Sequence, residues 1–271
     1  MLKVLISLLL LLCFTSLVLA QQNPAQSGAP LAQPAGTTCD FNLSSGSGRG
    51  LTTYCVTQNG NIAEFSAVGN GSGATEFING AGAAIEGYGI CDTTSAPVNY
   101  FDYASSDSGN WNAATATLNG STVTVTRTTA DGIWQLVQTI TAVKGSAVTY
   151  GSARITTAIK NLSTTDRFFD FFRYAHIGGI FNDFDTTPTT TFGMTPDGNG
   201  PGLALAAAFV TTPFDFSIAY VNTVPDAPIP CQVHNTFVNT FFEGSGGIVQ
   251  LFNLEIQPGH TKTISMTYRP I

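Results

Sequence analysis

The chain has 271 residues, with 17 acidic against 10 basic side chains, a formal net charge of −7 and a charged fraction of 10%, where ordinary soluble domains carry roughly 25%. Threonine is abundant and lysine scarce, so the Lys/Arg stripe that a phosphate backbone needs is missing, which argues against nucleic-acid binding. A neutral Thr/Gly/Asn-rich surface of this kind suits the exterior of a cell better than the cytosol.

Residues 1–20 read as a signal peptide. Lys3 is the positive start, Val4 to Leu12 is an apolar run too short to span a bilayer, and Val18-Leu19-Ala20 places cleavage after Ala20. Cys13 follows Leu12 rather than Gly or Ala, which speaks against a lipid-modified Cys start. No second apolar stretch of transmembrane length follows, so the expected location is secreted, extracellular or periplasmic. Residues 21–36 are Gln/Pro/Ala-rich without apolar periodicity and predict a disordered N-terminal arm. Residues 37–271 are expected to form one domain.

From Cys39 onward, short runs of β-branched and aromatic residues alternate with Gly, Asn, Asp and Ser, which is the punctuation of strands. After the turn Asn119-Gly120, residues 121–128 predict a strand with Val123 and Val125 on one face and the threonines and Arg127 assigned to the other. Asp131-Gly132 turns the chain into a second strand over 133–140. Further strands are predicted within 147–161, over 167–176, and over 214–224, 236–242, 247–256 and 262–268. Residues 203–209 fit two helical turns or a buried strand. More than ten strands and almost no helix predict an all-β protein, a large two-sheet antiparallel β-sandwich.

Four cysteines remain after the leader, Cys39, Cys55, Cys91 and Cys231, and outside the cell they read as two disulfides. The preferred pairing is Cys39 with Cys55, closing a Gly/Ser-rich loop, and Cys91 with Cys231, stapling the two ends of the sheet. No two of them stand as C-x-x-C, so a compact zinc site lacks its signature.

The run Gln138-Thr139-Ile140-Thr141, the strand Ala153 to Asn161 ending Ile159-Lys160-Asn161-Leu162-Ser163, the segment bearing Tyr174, His176 and Asp183, and the closing Ile256-Gln257-Pro258-Gly259-His260-Thr261-Lys262-Thr263 together resemble galactose-mutarotase-like β-supersandwich proteins over about the last 150 residues. The resemblance implies two broad antiparallel sheets with a concave face often used for carbohydrate. Active members use a His and a carboxylate to move a proton between sugar oxygens. No residue here aligns with either group, so the fold alone carries over.

Arg173-Tyr174-Ala175-His176 is the richest chemical segment. On a strand, Arg173 faces one way and Tyr174 and His176 the other, an arrangement in which a sugar ring stacks on tyrosine while imidazole and carboxylates exchange hydrogen bonds. Arg173, Tyr174 and His176 are therefore the candidate ligand-binding residues. Asp183 and Asp185, with Asp197, form a candidate Ca2+ site in a loop that Thr186-Thr187-Pro188 favours. Nucleophilic catalysis lacks support: Gly46-Ser47-Gly48 is not a nucleophile elbow, and His176, His234 and His260 show no metal spacing. Four Asn-x-Ser triplets begin at Asn42, Asn70, Asn119 and Asn161. Phe168-Phe169-Asp170-Phe171-Phe172 places rings on both faces of its strand, which predicts either cover on both sides or a face docked to another protein.

Two functions follow from these residues: a secreted, non-catalytic β-sandwich with an extracellular binding or structural role, or a carbohydrate-binding or sugar-active protein whose site surrounds Tyr174 and His176. The expected partners are a carbohydrate or another extracellular protein.

Overall fold

The computed structural model describes residues 39–45, 50–68, 74–79, 86–104, 106–146, 149–177, 183–195, 202–208, 215–224 and 226–271. The leader, the arm, Asp197 and the Asn70 triplet lie outside them. The described residues all belong to one compact unit, 32–271.

Strands β1 (Phe41–Ser45), β2 (Thr52–Val56), β3 (Ile62–Val68) and β4 (Ala74–Asn79) form a four-stranded antiparallel sheet in that order. The rest of the chain builds two larger sheets from β5 (Glu86–Asp92), β6 (Val98–Tyr103), β7 (Ser106–Asp107), β8 (Thr115–Asn119), β9 (Thr122–Thr128), β10 (Trp134–Val143), β11 (Ser152–Asn161), β12 (Arg167–His176), β13 (Asp183–Thr187), β14 (Thr190–Met194), β15 (Gly202–Ala207), β16 (Phe216–Asn222), β17 (Phe237–Val238), β18 (Phe242–Glu243), β19 (Gly247–Ile256) and β20 (Thr261–Pro270). One sheet has nine strands in the order β18-β13-β14-β15-β20-β11-β10-β9-β8. The other has seven, β17-β16-β19-β12-β5-β6-β7. Each described strand pair is antiparallel, as the all-β sandwich reading expects.

The alternation of the long strands fixes which side of each sheet is dry. Leu136 and Ile140 of β10, Ile155 and Ile159 of β11, and Ile264 and Met266 of β20 meet Phe169 and Phe171 of β12 and Phe252 and Leu254 of β19 in one core. Trp134 and Phe169 pack with ring centroids 4.4 Å apart. An interior of this kind, with each side chain removing about 1.5–3 kcal/mol worth of apolar surface from water, is the main force closing the sandwich.

Two sequence expectations change, and one left open resolves to a strand. Arg127 shares the core face of β9 with Val123 and Val125, because residues two apart on a strand point the same way; it is 3% exposed and paired with Asp102. Residues 203–207 form a strand, since Leu203 and Leu205 are buried against the core while pairing with β20. Residues 236–242 do not form one strand: a 3-10 turn, Pro230–Asn235, precedes two strands of two residues each.

Both disulfides are present, Cys39–Cys55 and Cys91–Cys231, with S–S distances of 2.07 and 2.12 Å. The second does not join two ends of a sheet; it ties the 3-10 turn to β5. Asn161 is fully buried, and its amide donates to the Thr165 and Ile256 carbonyls while its oxygen accepts from Ser163, so that triplet is a structural corner with no room for a glycan.

Candidate functional site

Strand β12 is the axis of the region because its alternate side chains enter two different environments. Phe169, Phe171, Arg173 and Ala175 point between the large sheets, whereas Phe168, Asp170, Phe172, Tyr174 and His176 point to the outer face of the seven-stranded sheet.

On the inner side, Arg173 is fully buried. Its Nε donates to Glu86 Oε1 at 2.5 Å, Nη1 to Gln138 Oε1 at 2.8 Å and Nη2 to the Gly60 carbonyl at 3.0 Å. Glu86 also accepts from the Ile62 amide at 2.5 Å and the Tyr268 hydroxyl at 3.1 Å. Beside this pair, Asp102 accepts from Arg127, Asn61 and Asn59, and the Tyr88 hydroxyl donates to the Asn59 carbonyl. The turn Asn59-Gly60-Asn61, with Gly60 at φ +87°, is thus held by Arg173 and Asp102 of the seven-stranded sheet, which are themselves bonded to Gln138 and Arg127 of the nine-stranded one. A Cβ on Gly60 would lie 2.9 Å from Gln138 Nε2. Burial pushes the Glu86 carboxyl above its ordinary range, and Arg173 and the hydrogen bonds only partly offset that. Loss of hydration is the largest single influence on Arg173 and lowers its pKa, but the Glu86 charge, the nearby tyrosines and the hydrogen bond to Glu86 together outweigh it and raise the guanidinium pKa. The ligand-binding assignment of Arg173 is therefore corrected: it is a linchpin sealed from solvent.

On the outer side, the segment 226–235 lies over the middle of the seven-stranded sheet and leads into its edge strand β17. Val233 packs on a cluster of Tyr103, Phe172, Tyr174, Val249 and Leu251, joined by Ala227 and Phe237. Cys231 is bonded to Cys91, the Cys231 amide donates to Asn99 Oδ1 at 2.7 Å, and the Tyr103 hydroxyl donates to the Pro228 carbonyl. A Cβ on Gly89 would meet Phe172 and Pro230 at 2.7–2.9 Å, so only glycine lets this cover approach. Tyr174 has no exposed surface, and burial raises its hydroxyl pKa, which leaves no ring face on which a sugar could stack. His176 is 6% exposed, its Nε2 lying 3.2 Å from Ser245 Oγ. The expected Tyr174/His176 surface is thus a covered one.

The same sheet face is open at its other end. Phe168 of β12 is 49% exposed and Phe216 of β16 is 48% exposed. Between them, Asn253 of β19 donates its amide to Asp170 Oδ1 at 2.7 Å, and Phe216 and Asp170 are the cross-strand partners of Asn253 on its two sides. Tyr220 stands on the same face, its hydroxyl pKa raised by burial and by the Asp170 charge. The Asp170 and Tyr220 positions carried no motif; the Phe run was the only signal that β12 had an exposed ring.

Asp183 and Asp185 fall in a strand, β13, not in a loop. Phe184 between them enters the core, so both carboxylates lie on the opposite side, and Asp185 Oδ1 accepts the Thr186 amide at 2.7 Å. Among the described residues no group of three or more His, Cys, Asp or Glu side chains is arranged to hold a metal ion, and no helix is long and apolar enough to cross a membrane.

No protein-family model and no curated protein matches the chain. Among solved structures, a bacterial glucoamylase complexed with acarbose is similar over 90% of this chain and 34% of its own, with 8% identity and a TM-score of 0.50. A putative aldose 1-epimerase from Escherichia coli K12 covers 85% of this chain and 99% of its own at 8% identity and a TM-score of 0.47. A protein from Synechocystis sp. PCC 6803 covers 90% and 99% at 7% identity and a TM-score of 0.42. The likeness is one of fold alone.

Proposed function

We propose that this is a non-catalytic carbohydrate-binding protein of the cell exterior, whose ligand lies across the open end of the seven-stranded sheet. The observation that carries this reading is the pair of half-exposed rings, Phe168 and Phe216, on one sheet face with the Asp170–Asn253 pair between them. Two strands apart and offset by two residues, their Cα atoms are about 12 Å apart, a span that accommodates more than one sugar ring. Apolar ring faces stack on the phenyl groups, and the carboxylate and amide accept and donate to hydroxyls. The two disulfides support an oxidising exterior. The fold shared with a glucoamylase is compatible with a carbohydrate ligand, and nothing in this reading requires proton transfer.

The test is binding of the purified protein to a broad array of neutral glycans, with and without calcium. Specific binding that Phe168→Ala and Phe216→Ala each weaken, unchanged by calcium, is the expected result. Binding to no glycan, or binding indifferent to both substitutions, would sink the proposal.

A further inference from the structure

The nine-stranded sheet presents a second surface of different chemistry. Its five contiguous strands β20, β11, β10, β9 and β8 contain not one Asp or Glu, in a chain that carries 17. Two of their basic residues turn inward and are paired: Arg127 with Asp102, and Lys262 with Asp215. The other three, Arg154, Lys160 and Arg269, project outward with no ion-pair partner among the described residues, Arg154 and Arg269 being exposed. Arg154 is the cross-strand partner of Thr267, which places Arg269 diagonally beside it.

Around these cations most of the outward positions are short hydroxyls, with Asn119, Gln135, Val137, Val143 and Ala158 as the exceptions. Thr117, Thr124, Thr139, Thr156 and Ser265 stand side by side across five strands. Thr122 and Thr141 have hydroxyl oxygens 3.1 Å apart, and Thr156 and Ser265 3.3 Å. No aromatic ring of these strands faces outward, so a neutral sugar has nothing to stack on. A bed of donors and acceptors, with guanidinium groups that have no ion-pair partner among the described residues and no carboxylate on these five strands, is complementary to an anionic polyhydroxylated chain.

We propose that this face docks an acidic polysaccharide, its carboxylates received by Arg154, Arg269 and Lys160 and its hydroxyls by the threonine rows. The site is separate from the Phe168/Phe216 strip and does not depend on it.

The experiment is titration of the purified protein with polygalacturonate, with dextran as the neutral control and phosphatidylserine vesicles as a second polyanion. Binding to polygalacturonate and not to dextran is expected. It weakens as salt shortens the screening length from about 30 Å to about 8 Å. Arg154→Glu with Arg269→Glu lowers affinity about tenfold, and Arg154→Lys with Arg269→Lys retains most of it. No binding to polygalacturonate at low salt, binding untouched by the charge reversal in a variant that keeps its far-UV circular dichroism, or binding to the vesicles alone overturns the proposal.

Discussion

Arg173 and Glu86 form an ion pair that is fully buried, with Nε 2.5 Å from Oε1 and a separation of 87 positions in the sequence. Their remaining hydrogen-bonding capacity is spent on Gln138, Tyr268 and the backbone at Gly60 and Ile62. The pair thereby holds the β2–β3 turn against both large sheets.

Breaking one side of such a pair leaves an uncompensated charge in the interior. Arg173→Met alone is expected to destabilise the protein by about 3–5 kcal/mol, and Arg173→Met with Glu86→Leu by much less, because no buried charge is then left unpaired. Urea unfolding of the two variants measures the difference; equal losses would contradict it.

Burial raises the pKa of Tyr88, Tyr103, Tyr174 and Tyr268 above the ordinary 10.0. A phenol whose folded pKa is raised contributes stability that is complete below its unfolded pKa and is lost as pH rises through the folded value. Alkaline titration followed at the phenolate absorbance should therefore show these four ionising together with unfolding. Reversible ionisation of all four in a protein that retains its circular dichroism would rule this out.

The Glu86 and Asp107 carboxyls are likewise raised, in both cases first by burial. For these two acids the linkage favours the folded state at pH below their unfolded values, and that contribution is lost as pH rises through their folded ones. Asp107→Asn fixes the neutral form, so its stability relative to the wild type should improve with rising pH from about 4 upward. Melting temperatures of both proteins across the acid range test the sign.

The Cys91–Cys231 bond closes a loop across a separation of 140 residues, for which the chain-entropy model gives on the order of 5 kcal/mol. Cys91→Ser with Cys231→Ser should lose a few kcal/mol and raise amide exchange in the 3-10 turn Pro230–Asn235 before it does so in β12. Uniform exchange across both would show that packing of Val233, rather than the disulfide, holds the cover down.

Strand β12 shows how far the sequence reaches. Its bounds and the opposite orientation of Arg173 and Tyr174 were legible, because they depend on a period of two and on the hydrophobicity of neighbouring residues; that the Phe run is covered on both sides except at Phe168 was not. The disulfide pairing was legible as well. Arg127 was misassigned even though the same period places it with Val123 and Val125; a charged side chain on a core face makes sense only once Asp102 is brought beside it.

What the sequence determined by itself was the class: alternating strands, turn residues and scarce charge specify an antiparallel sandwich through local propensities and burial. What only the tertiary structure decided was which faces remain open. Tyr174 is sealed because residues 226–235, more than fifty positions downstream, are tied across it, whereas Phe168, six residues earlier on the same face of the same strand, stays half exposed. Cover of this sort depends on contacts between segments far apart in the chain, and no local pattern encodes it.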